Sequence, residues 1–560
     1  MMTSLLLSCQ QAQPVQSYGP AQNPFLAKSY NNQGHWNDAA TDATDIAVPK
    51  GHFQVTNHST QIVPNDGLGI PAYVAEINGK YIYWFFAGTS MRKLEWVEGR
   101  FREIDRIDIP ANWSDYQRID PKKRLQQAKD IEGYLQQKDE AGLLAYLDET
   151  PNRLLSAVND QVAQGILYSL FTKDYGLIGS NARGLIRIDN ADISDPFSPL
   201  STPEFTRLPD ALFDNEKVSR LTIFPSDVVF GLGMSFNGYL VINTLGGKIV
   251  TLDRDTFELV DVYNAQAEDE IFSNGFSTSP ELNGGAIYVT SNRFMYRLTV
   301  SESGKISDAP TKGAWKAAYD YGRRLPLGKI ADGTGATPTL MGFGPSEDEL
   351  VVITDGADRM RLVAFWRNEI PSDAIAIPTA KSPRIAGQID VKMAKKGILQ
   401  SEQSVVVHGS KAFVVNGVPE PRARSYPTRK AYFRGLVAGT TRKPPTGAAM
   451  YQWQSKTNKW QHRWTRDDIG VFATVPFTSA PSEMVVVNGV YSERAGEIYH
   501  LGFDLDSGET VMSIASGTNP IYNGTFTGVK CDLDGDIMYT TMFGLIKMDV
   551  TKMNKTENPG

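Results

Sequence analysis

The sequence predicts an all-β fold, an eight-bladed β-propeller with seven blades as the fallback. Two observations predict it. From Asp66 to the C-terminus, short runs of β-branched and aromatic residues alternate with Gly, Asn-Gly and Asp-Gly turns. Eight hairpin patterns of this kind recur, about 65 residues apart on average, somewhat more than the roughly 40–50 residues of one blade. Repeated four-stranded units bury their apolar faces by stacking around an axis, which leaves only short exposed edges.

The hairpin turns are predicted from the residues that favour tight turns between two strand-like runs. They lie at Asn78-Gly79, Asp174, Asn237-Gly238, Asn283-Gly284, Glu347, Gly409, Asn488-Gly489 and Asp534-Gly535. Further runs supply a second pair of strands after several hairpins, at 248–253, 295–299, 361–365, 498–503 and 545–550. This organisation predicts one propeller over residues 66–560.

Two stretches depart from the β pattern. Residues 121–166 carry apolar residues at three- and four-residue steps and therefore form a predicted helical insertion. Removing this stretch from the first hairpin spacing leaves the length of about one blade. Residues 419–445 form a predicted basic loop, with seven Lys and Arg residues against the single acid Glu420. We expect the helical insertion to act either as a lid over the channel or as a docking surface, and the basic loop either to clamp an anionic ligand or to be a solvated surface loop.

Composition narrows the class of partner. The 56 Lys and Arg residues against 63 Asp and Glu residues give a net charge of −7, which argues against nucleic acid, because binding a phosphate backbone needs a basic face. Two cysteines cannot form a disulfide framework. No segment approaches the roughly 20 apolar residues of a membrane span, so any membrane attachment is expected at the N-terminus alone. We expect Cys531 to be a buried free thiol in the last blade.

The first nine residues resemble a bacterial lipoprotein signal. Leu5-Leu6-Leu7-Ser8-Cys9 is an apolar run with a small residue before a cysteine, although no Lys or Arg precedes it and the run is short. The resemblance implies that Cys9 is lipidated and that residues 10–65 are an extended N-terminal segment. It places the protein in the periplasm or at the outer-membrane surface. A soluble N-terminus and an ordinary cleaved signal are the alternatives.

Three segments resemble the repeats of quinoprotein-like propellers, whose signature is Ala-x-Asp-x-x-Thr-Gly. They are Phe503–Glu509, the weaker Leu252–Thr256, and Gln452–Asn458, which is followed by Trp460. The resemblance implies the propeller fold, commonly with eight blades. It does not imply the cofactor: quinoprotein dehydrogenases carry an adjacent cysteine pair beside pyrroloquinoline quinone (PQQ), and no Cys-Cys occurs here. We therefore do not expect PQQ.

The residues that precede the innermost strands are expected to face the central channel. Those that bear polar side chains are Asn274, Thr337, Glu402, Gln403, Ser482 and Asn523. Carboxylate and amide oxygens suit Ca²⁺, and calcium-dependent lactonase and arylesterase propellers are similar in using axial Glu and Asn ligands. We predict Glu402, Asn274 and Asn523 as metal ligands. The ligand-binding residues are predicted to be Thr337, Gln403, Ser482, Arg429 and Arg434. The alternative is that these polar groups bind only ordered water.

Other motifs give little support to other chemistries. Asp532-Leu533-Asp534-Gly535-Asp536 resembles the start of a calcium loop, but Phe543 stands where the bidentate Glu is needed, so a hairpin turn is predicted. The six histidines lie far apart in the sequence and predict no zinc site. No nucleophile elbow or nucleotide-binding loop is present.

Two functions are therefore expected from the sequence. The first is a propeller that binds a small ligand in its axial funnel, with metal-assisted hydrolysis of an ester or lactone as the reaction class. The second is a non-enzymatic envelope scaffold, similar to the lipoproteins of outer-membrane barrel assembly, that acts through protein–protein contacts.

Overall fold

The structure is a computed structural model. It describes residues 19–29, 35–66, 72–109, 120–149, 166, 168–222, 224–265, 267–323, 329–394, 396–417, 431–472, 474–524 and 527–559. Strands dominate these residues, and most pair with their neighbours in sequence as antiparallel hairpins.

The strands fall into eight units, numbered in chain order. Three strands precede them: β1 (Ala43–Thr44), β2 (Gly51–Gln54) and β3 (Thr60–Pro64). Unit 1 contains β4 (Ala72–Ile77), β5 (Lys80–Phe86), β6 (Ser90–Val97) and β7 (Arg100–Asp108). Unit 2 contains β8 (Tyr168–Phe171), β9 (Leu177–Ser180), β10 (Gly184–Ile188) and β11 (Glu204–Arg207). Unit 3 contains β12 (Val229–Met234), β13 (Tyr239–Thr244), β14 (Lys248–Asp253) and β15 (Leu259–Asn264).

Units 4 to 6 continue the series, and unit 4 has a fifth strand. Unit 4 contains β16 (Phe276–Ser279), β17 (Ala286–Thr290), β18 (Phe294–Val300), β19 (Ile306–Ser307) and β20 (Trp315–Ala318). Unit 5 contains β21 (Thr339–Met341), β22 (Leu350–Thr354), β23 (Arg361–Trp366) and β24 (Ile385–Asp390). Unit 6 contains β25 (Val406–His408), β26 (Lys411–Val415), β27 (Thr446–Gln454) and β28 (Lys459–Val471).

Units 7 and 8 close the molecule. Unit 7 is β29 (Phe477–Ser479), β30 (Met484–Tyr491), β31 (Ile498–Asp504) and β32 (Thr510–Gly517). Unit 8 is β33 (Lys530–Cys531), β34 (Ile537–Thr540), β35 (Gly544–Met548) and the early strand β3, which pairs with β35. Strand β2 adds to the outer edge of β32 in parallel, and β36 (Asn554–Lys555) pairs with β2.

Helices lie in the connections. The longer ones are α1 (Pro121–Gln136), α2 (Glu140–Glu149), α3 (Asn215–Leu221) and α4 (Ala431–Val437). Short helical turns are Asp210–Leu212, Glu281–Gly284, Pro310–Lys312, Pro520–Tyr522 and Val550–Lys552. Asp120 caps α1 by accepting the Lys122 N–H, and Pro121 occupies its first turn. The predicted insertion is thus helical over α1 and α2, while residues 150–165 lie outside the described residues.

Buried apolar clusters join each unit to the next and therefore arrange the units as a ring. One cluster contains residues of units 7, 8 and 1 together, such as Met484, Ile546 and Val74. Six further clusters link the other neighbouring pairs. The propeller class predicted from the sequence is confirmed. The number of blades stays a prediction, because β28 pairs with β30 and joins units 6 and 7 in one sheet.

Seven of the eight predicted hairpin turns lie between the first two strands of a unit, and one prediction is wrong. Asn78 and Gly79 both have positive φ (52° and 74°), as the turn between β4 and β5 requires. Asn488 and Gly489, by contrast, lie inside β30, and the turn of unit 7 is at 480–483. Gly489 serves a close contact instead, because a Cβ there would lie 2.2 Å from the carbonyl oxygen of Gly470.

The two better quinoprotein-like segments form the same local structure. In each, an Asp carboxylate accepts backbone N–H groups two and three residues later, between the third and fourth strands: Asp504 from Asp506 and Ser507, and Asp253 from Asp255 and Thr256. Trp464 of unit 6 packs on the first of these turns, where its indole N–H donates to the Leu505 carbonyl. The predicted buried free thiol of Cys531 is also confirmed.

Candidate functional site at the propeller axis

Residues 35–44, which we call the hub, lie where the first strands of the units converge. Their backbone carbonyls accept hydrogen bonds of 2.8–2.9 Å from four successive units: Asp38 from Thr278, Ala39 from Leu340, Thr41 from Val407 and Asp42 from Thr478. Residues 19–29 contact units 3, 2 and 1 as donors: the Asn23 side-chain amide donates to the Met234 carbonyl, the Ala27 N–H to the Phe171 carbonyl and the Ser29 hydroxyl to the Val74 carbonyl. Residues 19–29 and 35–44 therefore contact the first strands of seven units.

The hub contacts these strands at or after their second residue, whereas most predicted site residues precede the strands. The chain that follows the hub lies on the side where the first strands end. Ser482, in the turn after β29, donates its hydroxyl to the Val48 carbonyl (2.8 Å) and accepts the Val48 N–H (2.9 Å). The hub thus occupies one end of the axis. The candidate site is at the other end.

Glu402 is a partly buried carboxyl group at that end. Its Oε1 accepts the Ile330 N–H at 2.6 Å. Gly335 packs directly against it, since a Cβ at this position (φ 91°) would lie 2.7 Å from Glu402 Cγ and Oε1. Burial raises the pKa of Glu402 to about 7, against the opposing effect of the Lys329 and Arg434 cations.

Asn274 and Thr337 lie beside Glu402. The Asn274 side chain donates to the Gly335 carbonyl at 2.6 Å. Its Oδ1 accepts two hydrogen bonds, from the Tyr168 hydroxyl (3.2 Å) and the Gly275 N–H (2.8 Å). Thr337 is buried, and a Cβ on Gly275 would lie 3.4 Å from its Oγ1. The structure therefore brings together the predicted residues of units 4, 5 and 6.

Helix α4 connects this group to Asn523. The Asn523 amide donates to the Gly435 carbonyl at 2.9 Å, one residue after Arg434, whose cation acts on Glu402. The predicted basic loop is thus partly a helix on the axis. Asn523 and Glu402 therefore both lie beside helix α4, and their role as metal ligands stays a prediction.

Helices α1, α2 and α4 form what we call the helical cap. Their apolar residues share one buried cluster with unit 8, including Ile131, Leu143 and Phe433. The Arg442 Nε lies 2.9 Å from both carboxylate oxygens of Glu140, and this pairing lowers the pKa of Glu140. The two stretches that departed from the β pattern therefore meet in space.

The cap also contacts the loop that leads to Asn523. Glu132 of α1 accepts hydrogen bonds from the Thr518 hydroxyl (2.5 Å) and the Asn519 amide (2.7 Å). These contacts place the cap beside Asn523, at the end of the axis opposite the hub.

The remaining predicted residues do not join this group in the described contacts. Gln403 is partly buried, and its N–H donates to the Ser401 hydroxyl at 3.1 Å. Ser482 bonds to Val48, as described above. Arg429 and Cys9 lie outside the described residues, so the clamp and the lipid anchor predicted there stay predictions.

Sequence reasoning missed Lys329 and the hub. Lys329 is 2% exposed, and its ammonium group donates to the Gly333 carbonyl. Burial lowers the pKa of Lys329, while nearby carboxylates, Glu402 first among them, act in the opposite direction. No sequence pattern marks this single lysine, or a polar N-terminal stretch, as axial.

The calcium-loop-like motif holds a cation of the chain itself. The Lys547 ammonium lies 2.5 Å from Asp532, 2.9 Å from Asp534 and 3.4 Å from Asp536. The predicted hairpin turn is present between β33 and β34. In the part of the chain that the structure describes, no group of three or more His, Cys, Asp or Glu residues is arranged to hold a metal ion.

Comparisons with known proteins give the fold but no activity. No family model matches the sequence. An uncharacterized protein of Archaeoglobus fulgidus is 25% identical over 348 residues, which cover 60% of this chain; the chain spans 65% of that relative's length. No helix among the described residues is long and apolar enough to cross a membrane.

Several solved structures are similar in fold. A quinohemoprotein alcohol dehydrogenase from Comamonas testosteroni is 10% identical, with a TM-score of 0.48 over 95% of this chain and 82% of its own. A second, from Pseudomonas putida HK5, is 11% identical, with a TM-score of 0.42 over 97% and 80%. BamB from Moraxella catarrhalis is 10% identical, with a TM-score of 0.38 over 68% and 81%. The quinoprotein-like resemblance is confirmed as a likeness of fold, and no activity follows from it.

Proposed function

We propose that this chain binds a small polar ligand at the end of the propeller axis, between Glu402, Arg434 and Asn523. The observation that carries the proposal is the partly exposed carboxyl group of Glu402. One oxygen accepts the Ile330 N–H, and the other has no hydrogen-bond partner among the described residues. A polar group placed on the axis without a second partner is suited to an incoming ligand.

The surrounding elements support this position. The hub occupies the opposite end of the axis, so a ligand would enter from the side of the helical cap. The buried residues of α4 hold Arg434 and Gly435 beside the site, because Phe433, Leu436 and Val437 are packed into the cluster shared with α1 and α2. A site built on packed elements keeps its geometry without a bound ligand.

Calcium at the axis, and ester or lactone hydrolysis with it, stay finer proposals. Asn274 Oδ1, the atom that would bind calcium, already accepts two hydrogen bonds. Two cations near Glu402 oppose a third positive charge. We therefore place ligand binding ahead of metal-assisted hydrolysis.

The cellular location is also a proposal. A lipid anchor at Cys9 would hold the protein at a membrane surface in the cell envelope, and the envelope scaffold is the alternative function. Mass spectrometry of the mature protein tests the anchor. A modified N-terminal cysteine supports it, and an intact peptide that contains Met1 to Cys9 contradicts it.

The ligand proposal is tested by thermal unfolding of the full chain with a library of sugars, amines, divalent cations and organic acids. We expect at least one compound to raise the melting temperature of the wild type but not that of a Glu402→Gln, Arg434→Gln double variant, because a ligand stabilises the state that binds it. Shifts that are equal in both proteins, or no shift at all, contradict the proposal and favour the scaffold.

A further inference from the structure

We propose that the axial ligand carries an oxyanion, such as a carboxylate, which Arg434 binds while a protonated Glu402 donates a hydrogen bond to it. This inference rests on the proposed function and adds the chemical class of the ligand. It also predicts that ligand and proton bind together.

The charges around Glu402 support an anion. Loop 329–338 contributes Lys329 and helix α4 contributes Arg434, and both cations act on the Glu402 carboxyl group. Two other carboxylates that act on Lys329 have their own partners: Asp332 lies 2.9 Å from Arg293, and Asp358 lies 2.7 Å from Arg323. A ligand at Glu402 would therefore lie in the electrostatic field of Lys329 and Arg434.

A third carboxyl group, that of Asp355, also acts on Lys329. It is fully buried, and its Oδ1 accepts the N–H groups of Ala357 (3.2 Å) and Arg361 (2.9 Å). Burial raises the pKa of Asp355 to about 7, so it adds less than a full negative charge at neutral pH.

Two described parts of the connection between β26 and β27, Gly417 and helix α4, lie near Glu402. At its start, the Gly417 N–H donates to the Gln400 carbonyl at 3.0 Å, and a Cβ on Gly417 would lie 3.9 Å from the Glu402 nitrogen. Further along, in helix α4, Arg434 acts on the Glu402 carboxyl group.

The protonation state of Glu402 decides which ligand fits. An ionised Glu402 would repel an oxyanion, whereas the neutral acid donates a hydrogen bond to it. Arginine adds paired, charge-assisted hydrogen bonds that match a carboxylate. Because the pKa of Glu402 is about 7, the neutral form is available at and below neutral pH. Calcium would need the opposite, ionised form.

The sign of the pH dependence therefore separates the two ligands. Affinity for an oxyanion should fall as the pH rises through 7, by about tenfold between pH ~6 and pH ~8, because the neutral fraction of Glu402 falls by that factor. Affinity for calcium should rise over the same range.

The test is calorimetric titration of the full-length protein with sodium acetate, succinate and sulfate at both pH values, with chloride at matched ionic strength as the reference. We expect the wild type to bind at least one of these anions about tenfold more tightly at the lower pH, with proton uptake. Glu402→Gln should bind with an affinity that does not change with pH, because its amide group always donates. Arg434→Gln should lose about tenfold or more, and the control Arg463→Gln, which lies at the partly exposed Arg463–Asp506 pair, should bind like the wild type.

Three results overturn the inference: binding that strengthens with pH, loss of binding in Glu402→Gln, or a response to these anions that is unchanged in Arg434→Gln. If sugars, amines or calcium, but not anions, bind in a way that depends on Glu402 and Arg434, the ligand proposal stands and the oxyanion inference fails. If nothing depends on these residues, both fail.

Discussion

At the scale of single residues, Lys547 shows how a sequence motif can be satisfied from within the chain. The motif from Asp532 to Asp536 spaces its carboxylates as a calcium loop begins, yet the ammonium group of the fully buried Lys547 lies among them. Lys547 also faces the Trp96 ring at 4.5 Å. The nearby carboxylates raise the pKa of Lys547 in spite of its burial, so it remains charged.

We expect Lys547→Met to lower the free energy of unfolding by about 3–5 kcal/mol, because it leaves buried carboxylates without their cation. Urea unfolding followed by tryptophan fluorescence measures the change. The matched control is Lys555→Met at an exposed position of β36, which should change stability by less than about 0.5 kcal/mol. A Lys547→Met protein as stable as the control would show that the cluster does not need the lysine.

At the scale of elements, the hub and the helical cap define the two ends of the axis. The hub supplies backbone acceptors to first strands whose inner edges would otherwise lack a partner strand. The cap unites α1, α2 and α4 through one apolar cluster and the Glu140–Arg442 pair. The hub occupies one end of the axis, and we propose that a ligand enters at the other end, where Glu402 and the cap lie.

Removing the hub should therefore weaken the whole ring. We compare a chain that starts at Gly19 with one that starts at Pro49. The shorter chain keeps β2, which pairs with β32, and β3, which pairs with β35. The shorter chain should lose several kcal/mol of stability, because four buried N–H groups lose their acceptors at roughly 1–3 kcal/mol each. Thermal unfolding by circular dichroism measures this. Equal melting temperatures in the two chains would contradict the role of the hub.

The sequence predicts an element when the residues that determine it are neighbours in the chain, and not when contacts between distant units determine it. Hairpins such as Asn78-Gly79 are local and are predicted from turn residues. Asn488-Gly489 is wrongly predicted as a turn, because these two residues are needed for contacts with distant parts of the chain. The Asn488 side chain, within β30, accepts the Gly524 N–H at 2.9 Å. The positions of Glu402 and Asn274 near the axis can be predicted, because both residues precede the first strand of a unit. Lys329 and the hub could not be predicted, because their positions depend on contacts between distant units.

At the scale of the whole molecule, the ring of units accounts for the position of the site. Apolar clusters between neighbouring units fix the ring, and the first strand of each unit faces its axis. Residues more than a hundred positions apart in sequence, such as Asn274, Glu402 and Asn523, therefore reach the same end. A groove between units 5 and 6 is the alternative location for the ligand, and it lies away from the axis. It is lined by Asp390 to Ala394 with Thr465 and Asp467.

Hydrogen–deuterium exchange with and without sodium sulfate at pH ~6 distinguishes the two locations. Exchange reports local protection, so a bound ligand slows it at the residues that form the site. We predict slower exchange in peptides that cover residues 329–338, 400–404 and 431–437, and no change in peptides that cover 390–394 and 465–467. Protection confined to the groove, with unchanged exchange around Glu402 and α4, would contradict the claim that this propeller binds its ligand on the axis.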